Sequence, residues 1–409
     1  MNYEAIRELE SRVLIPTYER MPILAVRGEG CYVYDDKDKK YLDLLGGLAV
    51  NSLGYNHPEI MAALRDESEN LLHVSNLLYH PYQGLLAEKL ARLAGLDRVF
   101  FGNSGTEVTE GAIKLARVYA RKHHPAAPFE RVEILVVENS FHGRTLGALA
   151  ATWPEKYRKP FEPLVPAIKF VGLNDVESLK KDFSRRVAGF MVETVQGEGG
   201  VVEISEEFLK TGQELCRKHD AVFISDEIQC GLGRTGRMFA FEKFGLRPDV
   251  VLVAKPLAAG LPLAAIIARD KVARALSPGL HGTTFGGGPL QCRLALKTLE
   301  ILERPGFLSQ ARETGAYFRE RLRGLQSTLP VIREVRGDGL MVAAELTVPG
   351  KNVVKQALEA GFLINCTQEK VLRFLPPLIL ERRHVDEFIE ALGPILTGLP
   401  AETQQEVHA

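Results

Sequence analysis

Residues 250–267 read VVLVAKPLAAGLPLAAII, a run of apolar side chains interrupted by one cation, Lys255. Branched side chains in such a run favour an extended strand buried on both faces, and the lysine falls where that strand ends. A lysine held among apolar groups is easier to deprotonate, because burial disfavours the ammonium, and the neutral amine can form a Schiff base with an aldehyde. Upstream, AVFISD (221–226) is a second apolar run, ending in Asp226. A strand-end carboxylate beside a strand-end lysine can keep a pyridine nitrogen protonated and make the ring an electron sink, which points to pyridoxal phosphate. A snorkelling lysine and a helix-capping aspartate explain the same pair without a cofactor, so the neighbouring motifs must decide.

With 409 residues the chain can bury a large core, and it is expected to divide, since single cores seldom grow beyond roughly 250–300 residues. Its 51 basic residues stand against 52 acidic ones, so no net field favours nucleic acid or an anionic membrane. The five cysteines (Cys31, Cys216, Cys230, Cys292, Cys366) have neither disulfide-framework nor zinc spacing; they read as reduced cytosolic thiols, and no metal is expected. The N-terminal MNYEAIRELESR is charged and helical in character, without an apolar signal core, so the expected location is the cytoplasm. Residues 250–268 approach membrane-spanning length, but Lys255, Pro256, Gly260 and Pro262 break them, and no bilayer span is expected.

Short apolar runs at 99–101, 132–137, 187–192, 221–225 and 250–254 alternate with helical stretches. That pattern predicts an α/β fold, a mostly parallel sheet with helices on both faces. In 102–123, Ala112, Leu115, Ala116 and Tyr119 form the stripe of an amphipathic helix, and Ser205 caps a further helix with the stripe Phe208, Leu209, Leu215, Cys216. From about residue 290 the texture changes to helices (289–303, 307–328) and short strands (339–346, 371–375). The expected division is an N-terminal segment 1–60 joining a C-terminal small α+β domain 289–400, a large domain 61–288, and a disordered tail 401–409.

Chemistry in such a sheet belongs to the loops after its strands. GNSGTE (102–107) sets Gly102, Ser104, Gly105 and Thr106 between a strand and a helix start, where amides and the helix dipole converge on an anion, although many such turns merely connect elements. FHGRT (141–145) offers Phe141 to stack on a planar ring and Arg144 to clamp a carboxylate. ETVQGEGG (193–200) puts two carboxylates on a flexible loop, and HGTTFGGGP (281–289) offers two hydroxyls among glycines. GLGRTG (231–236) matches a dinucleotide fingerprint, but DEIQC separates it from its strand and no clean helix opens after it, so it is expected to be a decoy.

Eight runs stand in one order along nearly the whole chain: LLGGLAVNSLGYNHPEI, FGNSGTEVTEGAIKLAR, FHGRTLGAL, ETVQGEGG, FISDEIQCGLGRTG, LVAKPLAAGLPLAA, HGTTFGGGP and VLRFLPPL. In this the chain resembles the class III aminotransferases among the fold-type I pyridoxal-phosphate enzymes. The resemblance implies that Lys255 forms the Schiff base with pyridoxal 5'-phosphate and that Asp226 pairs with the pyridine nitrogen. Gln229 would reach the ring's 3-oxygen, Phe141 and Ile228 would enclose its faces, and Glu227 would belong to the same shell. Gly105 and Thr106 would bind the phosphate together with Thr284 of a second subunit, so a homodimer with shared active sites is implied. Arg144 would hold the α-carboxylate of the amino donor and the distal carboxylate of glutamate. Arg373 would hold glutamate's α-carboxylate, Glu198 would neutralise Arg373 when no carboxylate is there, and Thr283 would contact the donor from the partner subunit.

The implied reaction moves the δ-amino group of N2-acetylornithine to 2-oxoglutarate, a step of arginine biosynthesis, in two half-reactions. Ornithine, succinylornithine, 4-aminobutyrate and acyl-lysine donors share this machinery, and an inactive dimeric scaffold is the alternative of another class. Gly47, in LLGGLAV, is read as leaving room for an acyl group. Two departures from the family pattern, Gly288 before Pro289 and Ala258-Ala259 after the lysine, remove no catalytic group and bear on the loop near the phosphate and the substrate channel.

Overall fold

A computed structural model describes residues 2–125 and 130–399; the tail read as disordered lies outside the described residues. A seven-stranded sheet runs in the order Arg98–Gly102, Ala264–Ala268, Val250–Val253, Val222–Asp226, Val187–Val192, Glu133–Val137, Ile168–Val171. All strands are parallel except Ala264–Ala268, which pairs antiparallel with both neighbours. That strand and Ile168–Val171 escaped the sequence reading. The first is continuous with the apolar run around Lys255, and the second is a short run with a lysine inside it.

Alternate side chains of one strand enter opposite layers. Ile134 and Val136 join Ala112, Leu115, Ala116 and Tyr119 of helix Gly105–His123, while Leu135 and Val137 face the layer that holds Phe208 and Leu209 of helix Glu206–His219. Burial on both faces makes these strands read as unbroken apolar runs. Ser205 caps its helix as expected, its hydroxyl accepting from Phe208 N at 3.3 Å.

A second, antiparallel sheet follows: Ile332–Asp338, Met341–Leu346, Val371–Phe374, Asn365–Thr367. The N-terminal hairpin strands end in Lys40–Asp43, which pairs in parallel with Phe362–Leu363. GLGRTG joins the two sheets rather than opening a helix. Arg234 is buried and donates to the carbonyls of Pro376 and of Leu340 (3.2 Å) and to Ser52 Oγ (3.1 Å). Burial pulls its pKa down to about 9. Gly339, at φ +51°, lets the turn of the second sheet lie against Thr235, where a Cβ would stand 2.4 Å from a backbone carbon. Arg234→Ala leaves those carbonyls without donors and is expected to cost about 3 kcal/mol, read as a lower midpoint in urea.

Candidate active site

Parallel strands deliver their carboxyl ends to one edge, and five loops meet there. They follow Gly102, Val137, Val192, Asp226 and Val253 and close a cavity of about 410 Å³ lined by Gly105, Thr106, Phe141, Arg144, Glu193, Glu198, Asp226, Ile228, Gln229 and Lys255, among others. Asp226 sits level with Leu252 across the ladder, three positions before the lysine. The backbone of Lys255 takes φ +37°, a strained conformation for a side chain of this size, and the kind of outlier that collects at functional sites.

Burial lowers the pKa of Lys255, although Asp226, Glu193 and Glu198 partly offset it by stabilising the ammonium. His142 was not singled out in the sequence. Its Nδ1 lies 2.7 Å from Asp226 Oδ2, and Asp226 Oδ1 accepts from Ile228 N at 3.0 Å. Burial disfavours the imidazolium, but the hydrogen bond to Asp226 and the charges of Asp226 and Glu193 outweigh it and raise the pKa. Glu193 is buried, its oxygens accepting from Phe141 N (2.9 Å) and Gly197 N (3.2 Å). Desolvation pushes its carboxyl up to about 7. The loop read as flexible is a short ribbon, Val195–Gln196 against Val202–Glu203, with Glu193 at its root.

At the other wall, Ser104 caps helix Gly105–His123 and Thr106 Oγ1 accepts from Arg144 N and Thr145 N, both at 3.3 Å. Gly143, at φ +138°, packs where a Cβ would stand 2.4 Å from that hydroxyl oxygen. The Arg144 guanidinium lies 3.8 Å from the ring centre of Tyr157 and 5.3 Å from that of Phe141, with no carboxylate partner among the described residues. Tyr157 was missed, because a tyrosine thirteen positions from an arginine carries no local signal.

Glu198 Oε1 accepts from Arg373 Nη1 at 2.6 Å, and Arg373 is almost wholly buried. Gln229 Oε1 is buried without a partner, so the amide is free to turn its nitrogen to an oxygen in the cavity. Four site residues of the sequence reading are absent from the cavity lining: Arg373, which is joined to it through Glu198, and Glu227, Thr283 and Thr284. Glu227 is absent from the lining; its carboxylate accepts from Ala240 N (2.7 Å) and Phe241 N (3.0 Å) and braces that loop. Thr283 accepts from Asn103 Nδ2 at 3.0 Å and Thr284 lines a separate small pocket with Gly288, so neither reaches the Lys255 cavity of its own chain. Gly47 does not line the cavity either, whereas Val50 of the same segment does.

Residues 14–396 match the family Aminotransferase class-III. The chain belongs to this family. As a class III aminotransferase it is 47% identical over 399 residues to an acetylornithine aminotransferase of Methanocaldococcus jannaschii, covering 98% of this chain and 100% of that protein. A solved ornithine aminotransferase from Toxoplasma gondii, with PLP in partial occupancy at its active site, superposes with TM-score 0.92 at 32% identity, over 96% of this chain and 94% of that one. An acetylornithine aminotransferase from Elizabethkingia anophelis superposes with TM-score 0.88 at 32% identity, over 97% and 100%. Among the described residues, no helix is long and apolar enough to cross a membrane, and no group of side chains could hold a metal ion.

The class III cavity here suits a flat ring bearing an aldehyde and an anion. It sets an amine of lowered pKa, an aspartate, the side chains of Phe141 and Ile228 and a helix N-terminus around one space. Glu227 supplies a test of the electrostatics behind it, since desolvation raises its carboxyl from 4.5 to about 7. The folded chain then holds this proton more tightly than the unfolded one, so the stability due to it is present below pH 4.5 and lost as pH rises to 7. Relative to Glu227→Gln, the wild type is expected to lose about 3 kcal/mol of unfolding free energy between these limits, measured by urea melts across pH.

Proposed function

We propose that the protein transfers the δ-amino group of N2-acetylornithine to 2-oxoglutarate in arginine biosynthesis, with pyridoxal phosphate as cofactor. The observation that carries this reading is the unequal state of two arginines: Arg144 is open to the cavity without a carboxylate, and Arg373 is neutralised by Glu198 at 2.6 Å. One substrate with a single carboxylate and another with two can then use the same site. The full-length likeness to relatives named for acetylornithine supports the choice of donor.

The buried amine, the unpartnered amide of Gln229 and the capped helix start at Gly105 fit the cofactor's aldehyde, ring oxygen and phosphate. When bound, pyridoxal phosphate supplies an aldehyde that exchanges amines and a ring that takes up the electron pair left at the substrate carbon. Lys255, whose amine is made easier to deprotonate by desolvation, would give way to the donor's amine and then move the proton from the donor's δ-carbon to the carbon that had carried the cofactor's aldehyde. Asp226, oriented by His142 and Ile228 N, would hold a proton on the ring nitrogen. Phe141 and Ile228 would flank the ring, and Arg144 would fix the donor's α-carboxylate. In the second half-reaction Glu198 leaves Arg373, which then receives the α-carboxylate of 2-oxoglutarate. The two half-reactions make the kinetics ping-pong.

The reading includes a homodimer in the cytoplasm, with Thr284 and Thr283 reaching the partner's phosphate and donor. It is supported by their absence from their own chain's cavity and by the apolar side chains exposed around them, Leu77, Tyr79, Leu280 and Phe285. Asn76 ties these segments together through the carbonyls of Thr283 (3.3 Å) and Gly286 (3.0 Å).

Single-turnover mixing of the holoenzyme with acetylornithine, ornithine, succinylornithine and 4-aminobutyrate is expected to show acetylornithine reacting fastest, and a faster competitor would overturn the donor assignment. Lys255→Ala is expected to lose turnover by several orders of magnitude with the fold intact by circular dichroism. Arg373→Ala is expected to weaken the 2-oxoglutarate half-reaction by roughly a hundredfold with a much smaller loss for acetylornithine, because a bidentate charged contact is removed from one substrate alone. Stopped-flow measurement of each half-reaction checks this, and equal losses would refute it.

A further inference from the structure

The loop that carries Glu198 is tied by its main chain to the hairpin that carries Arg373. Thr367 Oγ1 donates to the Glu198 carbonyl at 2.8 Å, and Gln368 Nε2 donates to the same oxygen at 2.9 Å. Arg336 Nε donates to the Gly200 carbonyl at 2.9 Å, and its Nη1 donates to both Glu334 (2.8 Å) and Glu345 (2.6 Å). Thr367 and Arg373 lie on paired strands, Asn365 facing Arg373 and Thr367 facing Val371. The turn between these strands keeps Gln368 and Glu369 at φ +48° and +62°. Two non-glycine residues held in this left-handed region are strained, and the turn they make points Gln368 at the loop. Gly200, at φ +101°, completes the fit: a Cβ there would stand 3.2 Å from Arg336 Nη2.

From this geometry we infer that Thr367 and Gln368 are specificity-determining positioning residues, which fix the peptide of Glu198 beside Arg373 so that the gate works by side-chain rotation alone. The inference rests on the proposed gate between the two half-reactions. A carboxylate on a loose loop must order that loop each time it returns to Arg373, whereas one on an anchored peptide orders only its own side chain. The anchors therefore favour the closed pair, and with it a donor that has no carboxylate at that end. Arg336 supports the loop from Gly200 without touching Glu198.

The test compares the wild-type holoenzyme with Thr367→Val plus Gln368→Asn. The asparagine tolerates the left-handed turn but draws the amide back by one methylene. Stopped-flow with acetylornithine and with glutamate gives the ratio of their kcat/KM values, and hydrogen exchange reads the amides of 197–200. The double variant is expected to shift the ratio about tenfold toward glutamate, the scale set by two modest hydrogen bonds, with the loss falling on KM for acetylornithine. Exchange at 197–200 is expected to quicken, and Thr367→Ser alone, which keeps the hydroxyl and leaves Gln368 in place, is expected to stay near the wild type in both. An unchanged ratio with quickened exchange would make the anchors merely structural, and unchanged exchange would show that they do not hold the loop; either result overturns the inference. Failure of the wild type itself to accept acetylornithine would remove the donor assignment, while the exchange of 197–200 would still decide whether Thr367 and Gln368 hold the loop.

Discussion

Burying one amine at the carboxyl edge of a parallel sheet constrains everything around it. A lysine in water keeps its proton, and Lys255 gives it up more readily because the groups packed around it leave less solvent to hydrate an ammonium. Acids in the same space oppose this, since Asp226, Glu193 and Glu198 all favour the charged form. Each of those acids has another partner: His142 for Asp226, two backbone amides for Glu193 and Arg373 for Glu198. The acids are therefore occupied, and desolvation decides the state of the lysine.

The same economy governs the frame of the site. Glu193 ties the loop of Phe141 to the ribbon that leads to Glu198, so both segments share one buried carboxyl. Glu227, one residue beyond Asp226, turns the other way and braces the segment at Ala240 and Phe241. Arg234 donates to the carbonyls of Leu340 and Pro376 beside the second sheet, a buried cation held by dipoles rather than by a counter-charge. Arg373 therefore meets Glu198 from a sheet whose position is held partly through Arg234.

Much of the fold was legible in the chain because burial on both faces leaves unbroken apolar runs, and helices on such a sheet leave stripes. Val187–Val192 stands where the runs placed it, and the stripe Ala112, Leu115, Ala116, Tyr119 is buried as read. Ala264–Ala268 was lost because its apolar residues continue those around Lys255, and period alone cannot divide one long apolar stretch into two strands of opposite direction. GLGRTG shows the limit of a motif: its glycines serve the junction of two sheets, and the missing helix after them was the informative sign.

By itself the sequence determined the class of sheet, the loops at its carboxyl edge and the residue types those loops carry, because each is written within a few neighbouring positions. Lys255, Asp226, Phe141, Arg144 and Glu198 could be named from such local runs, and the structure gathers all five on one cavity. Only the tertiary structure decided which groups meet across the chain. His142 on Asp226, Tyr157 under Arg144, Glu193 on Phe141 N and Thr367 with Gln368 on the Glu198 carbonyl join positions that no short window contains. The direction of the Glu227 carboxylate and the removal of Thr283 and Thr284 from their own cavity were likewise settled by packing. Side-chain direction at a loop depends on what the rest of the chain brings against it, and that is a property of the fold rather than of the neighbouring residues.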